Sequence, residues 1–180
     1  MYYQVNGVNL HVEQQGAGGT ALVFLHFYGG SARTWGKVIE GLKQDYTCIA
    51  YDHRGWGDSD KTAATYTIKD LADDAQALIQ ELGLKRYVLV GHSMGGKAAQ
   101  LLASRRPAGL EGLVLVAPST PTPQDMPEEM RASMVHFYDN REGAEIALNN
   151  IALLPLEEHV REMALEDMQK KRPFVPGGLA

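Results

Sequence analysis

The chain is 180 residues long, 44% hydrophobic and 22% charged, with a formal net charge of -5. Such a composition buries a sizeable core and excludes an intrinsically disordered polymer. Lys and Arg are scattered among Asp and Glu without a basic stripe, so neither nucleic acid nor an anionic membrane surface is an expected partner. The opening Met1-Tyr2-Tyr3-Gln4 has no signal-peptide character, no apolar run nears the length of a membrane span, and the single Cys48 excludes an internal disulfide. A cytoplasmic protein is the expectation.

Tyr3 to Val5 and Val8 to Val12 alternate apolar and polar residues around Asn6-Gly7, a dipeptide suited to a tight hairpin. After the turn Gly16 to Gly19, Ala21-Leu22-Val23-Phe24-Leu25 is continuously apolar, as a strand covered on both faces must be. Thr47 to Tyr51, Tyr87 to Val90 and Leu113 to Ala117 repeat that signature. Helices are expected between them: Ser31 to about Lys43; a segment with Ile68, Leu71, Ala75, Leu78, Ile79 and Leu82 on one face; and Met94 to Arg106. Thr67 with Asp70 three residues later fits a capping box, and Gly83 a C-terminal cap. Buried strands alternating with helices imply an α/β architecture: a doubly wound, mostly parallel sheet over residues 1–117.

Composition changes at Pro118, where Ser119-Thr120-Pro121-Thr122-Pro123 makes a stiff connector. Residues 118–180 read as a helical cap rich in Met, Glu and Ala. Its apolar positions are Met130, Met134 and Phe137, then Ile146, Leu148 and Ile151, then Val160, Met163 and Met168. Arg172 to Gly178 reads as a loop.

Chemistry concentrates where Tyr87-Val88-Leu89-Val90 runs into Gly91-His92-Ser93-Met94-Gly95-Gly96 and then into the helix formers Lys97 to Ala103. A serine in so sharp a strand-to-helix turn is forced into strained geometry, flanking glycines let strand and helix approach, and its hydroxyl is exposed. The helix that starts there aims free N–H groups at any anion forming beside Ser93. Ser93 is therefore the expected nucleophile.

Three motifs together resemble the α/β-hydrolase fold superfamily, in its serine esterase and cofactor-free haloperoxidase-like branch. They are the Ser93 elbow, Leu25-His26-Phe27-Tyr28-Gly29-Gly30-Ser31, and Asp52-His53-Arg54-Gly55-Trp56-Gly57-Asp58-Ser59. The resemblance implies a hydrolase of carboxylic esters or related acyl substrates with no cofactor and no metal. It also implies an oxyanion hole made by the backbone N–H groups of Tyr28 and Met94. Phe27 departs from the family pattern, which has glycine there, and with Tyr28 and Trp35 it is expected at the substrate pocket. By the same resemblance the Asp52 turn is a structural corner whose Arg54 pins neighbouring loops, and His26 orders its loop by hydrogen bonding. His92, just before the elbow serine, points to the opposite side of the strand end, so neither histidine is read as the base.

A serine alkoxide needs a positioned base and an orienting acid. The resemblance puts both on strands that follow the cap, and the sequence has no counterpart of those strands. Asp125 is the one candidate acid, and His136 and His159 fall on the cap. The reading is of an incomplete core, complemented by a C-terminal segment or a second copy. The alternative is a non-enzymatic ligand-binding or signalling protein on the same fold, or an inactive fragment; among enzymes, lactonase, carbon-carbon hydrolase, perhydrolase and acyltransferase chemistries stay open.

Overall fold

A computed structural model describes residues 1–61, 64–122, 127, 129 and 138–170. The expected apolar face Met130, Met134 and Phe137, together with Asp125, His136 and the loop 172–178, lies outside them.

Among the described residues the sheet has six strands: β1 (Tyr2–Val5), β2 (Val8–Gln15), β3 (Ala21–Leu25), β4 (Thr47–Tyr51), β5 (Tyr87–His92) and β6 (Leu110–Val116), in the order β1-β2-β4-β3-β5-β6. The hairpin β1–β2 turns at Asn6 and Gly7, both with positive φ (48° and 78°), and joins the sheet antiparallel to β4. The strands β4, β3, β5 and β6 pair in parallel. The expected doubly wound, mostly parallel sheet is what forms, with β6 beginning three residues earlier than its apolar run.

β3 is buried along its whole length because both faces are covered. Its alternate residues go opposite ways. Val23 and Leu25 join Ile49, Tyr51 and Leu89 against helices α2 (Ile68–Glu81) and α3 (Met94–Ser104). Leu22 and Phe24 join Cys48, Ala50 and Val90 on the other face, against Trp35 and Ile39. Ile39 belongs to α1 (Gly36–Leu42), which follows a 3-10 turn at Ala32–Trp35, so the segment expected as one helix from Ser31 is built in two pieces. Each fully buried Leu or Ile stabilises the fold by about 1.5–3 kcal/mol.

Helix α2 starts with the Thr67–Asp70 capping box, both reciprocal hydrogen bonds being made. It ends in a Schellman motif: Gly83 has φ +63°, its N–H donates to the Gln80 carbonyl, and the Leu84 N–H donates to that of Ile79. The C-terminal helices are α4 (Arg141–Ile151) and α5 (Glu158–Gln169). In α4 the buried face is Ala144, Ala147 and Leu148, whereas Ile146 and Ile151 are exposed, so the helix forms with a different inner face from the one its largest apolar residues suggest. Ala144, Leu148, Leu165 and Met168 make a small cluster of their own, joined by Phe27 and Tyr138. Among the described residues no helix is long and apolar enough to cross a membrane.

Candidate active site

Strand β3 has β4 on one side and β5 on the other, so the strand order turns round beside it. Ligands of open α/β sheets bind at the carboxyl ends of strands at such a point. Here those ends carry His26 to Ser31 after β3 and Ser93 after β5, with Leu25 in register with Gly91.

Ser93 takes φ +50° and ψ -114° at the N-cap of α3, a conformation that costs a non-glycine residue about 1–3 kcal/mol. Close packing enforces it. A side chain on Gly91 would lie 2.7 Å from the Gly95 carbonyl oxygen, and one on Gly95 would lie 2.3 Å from the Leu25 carbonyl oxygen and 2.5 Å from that of His26. The first turn of α3 thus sits directly on the base of the loop after β3, bringing Met94 and the Tyr28 segment to one place. Backbone bonds on the far side complete the elbow: the Ser93 N–H donates to the Val116 carbonyl at 3.2 Å, and the Ser119 N–H donates to the Ser93 carbonyl at 3.0 Å.

The loop after β3 is ordered by His26. Its Nδ1 lies 2.7 Å from the Phe27 carbonyl oxygen and its Nε2 accepts from the His53 N–H at 3.0 Å, which assigns the neutral Nδ1–H tautomer. Burial pushes its pKa down from the ordinary imidazole value. With both nitrogens engaged, His26 serves the loop. The Gly30 N–H donates to the Phe27 carbonyl, and the positive φ of the turn falls on Gly29 (+87°) and not on Phe27, so a bulky side chain is accommodated where the resemblance has glycine. The Phe27 ring packs 5.1 Å from that of His92, whose pKa burial also lowers. The Tyr28 ring lies between Trp56 (5.5 Å) and Tyr138 (5.3 Å), and burial pushes the Tyr138 hydroxyl up to about 12. Trp35 packs in the core on Phe24 at 5.1 Å, with its ring 6.4 Å from His92.

The Asp52 turn is a hydrogen-bonded corner. Asp52 accepts from the N–H groups of Ala32 (2.7 Å) and Asp58 (2.9 Å), with His11 Nδ1 at 3.0 Å. His11, Asp52 and Asp58 bring one metal-ligating atom each within 4.8 Å of one another, but both Asp52 oxygens are already engaged by these donors. Among the described residues none hydrogen-bonds the Ser93 hydroxyl, and His159 is exposed on α5 beside Glu157.

Sequence reasoning missed what lies over the loop from the C-terminal side. Met168 and Tyr138 press on Gly29, and Asp167, 2% exposed, accepts a 2.6 Å hydrogen bond from Ser31 Oγ. The signal was present: Asp167 interrupts the helical stripe Val160, Ala164, Asp167, Met168 with a carboxylate at an inward position.

A family model described as alpha/beta hydrolase fold matches residues 20–169. The uncharacterized hydrolase YugF of Bacillus subtilis is 36% identical over 119 residues, 65% of this chain and 44% of that protein. The chain spans less than half the length of the curated relatives it matches. An esterase from Exiguobacterium antarcticum superposes with a TM-score of 0.86 at 22% identity, covering 96% of this chain and 68% of the esterase. A hydrolase from Pseudomonas aeruginosa gives 0.81 at 25%, with the same two shares. Matched over most of its length and carrying the strand order and the strained elbow just described, the chain belongs to the α/β-hydrolase fold family.

Proposed function

We propose that this chain carries the nucleophile half of a serine hydrolase acting on a carboxylic ester or related acyl substrate. The observation that carries the reading is the Ser93 backbone, held at φ +50° on the first turn of α3, directly against the loop that bears Tyr28. Ser93 Oγ attacks the substrate carbonyl carbon while a base takes its proton. The carbonyl oxygen, now negative, accepts from the Tyr28 and Met94 N–H groups, fixed dipoles needing no reorganisation. Collapse expels the alcohol, protonated by the same base, and leaves the acyl group on Ser93; water then attacks that ester and releases the acid. Residues 118–180 serve as a lid, and Phe27 and Tyr28 with Tyr138 favour a small apolar or aromatic acyl group.

The base and its orienting acid come, in this reading, from polypeptide other than the described residues, seated along β6. That strand is the last of the sheet, and its Leu113, Val114, Leu115 and Val116 are 37–49% exposed, an apolar edge of the kind that templates further pairing. The absence of a hydrogen-bonded base among the described residues also favours a second reading, a ligand-binding protein on this fold.

A fluorophosphonate probe separates the two. Stoichiometric labelling of the protein, lost in Ser93→Ala, is the result expected of the hydrolase. No labelling under any condition, with an aromatic carboxylic acid still binding, overturns it in favour of binding.

A further inference from the structure

The loop that presents the Tyr28 N–H is held from two sides. From the core, His26 fixes Phe27, and Asp52 accepts from the Ala32 N–H at 2.7 Å. Residues 28–31 are tied to the body by the Gly30 N–H on the Phe27 carbonyl, the Ser31 N–H on Thr34 Oγ1 and the Tyr28 ring against Trp56, and from the other side by α5. Ser31 Oγ accepts from the Arg33 N–H (3.1 Å), capping the 3-10 turn, and donates to Asp167 Oδ2 (2.6 Å). The other oxygen of Asp167 accepts from Arg33 Nε (3.1 Å) and from a terminal guanidinium nitrogen, and Arg33 also reaches Glu166 at 3.2 Å. One turn of helix brings Met168 Cγ to within 3.3 Å of the position a side chain on Gly29 would take, with the Tyr138 ring at 3.2 Å. A carboxylate in this place is not explained by packing, since burying it is costly unless every bond to it is made.

We propose that Asp167 is a positioning residue for the oxyanion loop. When α5 is docked, its carboxylate draws Ser31 and Arg33 into place, and the Tyr28 N–H takes its donor orientation only then. Closure of the C-terminal helices and assembly of the oxyanion hole are thereby one event, so the hole forms when the substrate is enclosed. The inference rests on the hydrolase reading for its catalytic consequence, while the loop-ordering part stands on these contacts.

The test compares wild type with Asp167→Ala and Asp167→Asn by amide hydrogen exchange on this chain and, on the enzyme that includes the polypeptide supplying the base, by steady-state hydrolysis of p-nitrophenyl acetate, with Ser93→Ala as control. In Asp167→Ala the amides of Gly30 and Arg33, bonded to the Phe27 carbonyl and to Ser31 Oγ, are expected to exchange at least about tenfold faster while those of Val23 and Leu89 in the sheet are unchanged. Activity is expected to fall about 10- to 100-fold in kcat with KM within about threefold, because the interaction lost is one made in the transition state. Asp167→Asn, which still accepts from Ser31, is expected to be intermediate in both. Wild-type exchange at Gly30 and Arg33 in a folded Asp167→Ala overturns the proposal, as does faster exchange that extends equally to the sheet. If Asp167→Ala does not fold, Asp167→Asn decides by the same criteria. Ester hydrolysis that survives Ser93→Ala instead overturns the hydrolase reading, and exchange at Gly30 and Arg33 then decides the loop-ordering role alone.

Discussion

Arg54 and Asp74 face each other as a fork: Nε donates to one carboxylate oxygen and a terminal nitrogen to the other, both at 2.6 Å. The side chains are 7% and 1% exposed, and Asp74 also accepts from Asn6 of the hairpin turn, so one residue of α2 ties together the corner after β4 and the turn between β1 and β2. Removing Asp74 leaves the buried Arg54 guanidinium, among the described residues, with only Asp70 at 3.8 Å and the Thr65 carbonyl at 3.2 Å to compensate it. Asp74→Ala is therefore expected to lower unfolding stability by about 3–5 kcal/mol, measured by urea denaturation. Asn6→Ala, which removes only the third bond, is expected to cost about 1 kcal/mol.

The strain at Ser93 is measurable apart from any activity. Glycine adopts φ +50° without a side-chain clash, at the cost of a more disordered unfolded chain. Ser93→Gly is expected to be more stable than wild type by about 1 kcal/mol in thermal unfolding, while Ser93→Ala, which keeps the Cβ, gains nothing comparable. Equal stability of the two variants would contradict a strained elbow.

Gly95 reports on the junction between the elbow and the loop after β3. A methyl group there meets two backbone oxygens at 2.3 and 2.5 Å, neither of which can rotate away. Gly95→Ala is expected to cost about 1–3 kcal/mol and to reduce phosphonate labelling at Ser93 severely, whereas Gly41→Ala, in open space on α1, leaves labelling unchanged.

Two buried histidines set an acid limit on stability. His53 is fully buried and, among the described residues, neither ring nitrogen finds a hydrogen-bond partner; burial, then the neighbouring His26, pushes its pKa well below the imidazole value, and His26 is lowered mainly by burial. Each folded-state pKa lies below the unfolded value of about 6.5, so the unfolded chain binds protons first as pH falls. Their contribution is intact above about pH 6.5 and is lost progressively below it, at up to about 1.4 kcal/mol per pH unit for each histidine. His53→Leu is expected to flatten the slope of the denaturation midpoint between pH 6.5 and 5 by about one proton.

Local chemistry made most of this fold readable in advance. Unbroken apolar runs named β3 and β4, the Thr67–Asp70 pair and Gly83 named both ends of α2, and the glycines around Ser93 named the elbow, because each is a short-range constraint. In α4 the largest apolar residues misled: Ile146 and Ile151 are exposed while Ala144 and Ala147 are buried, since close approach to the small cluster around Leu165 favours small side chains. The contacts of Asp167 with Ser31 and Arg33 join residues more than 130 positions apart, and nothing local to either end specifies the pairing.

The elbow hangs from the end of β6 as well as from β5. The Ser93 N–H is bonded to Val116, Ser119 returns a bond to the Ser93 carbonyl, and between them Ala117 is itself held at φ +39°. Pro118 stands 2.8 Å from where a side chain on Gly96 would be, so there is no slack between strand and helix. A tug on β6 is therefore felt at Ser93 through two hydrogen bonds, like a string tensioned at its peg. Anything that shifts the end of β6 shifts the Ser93 backbone with it.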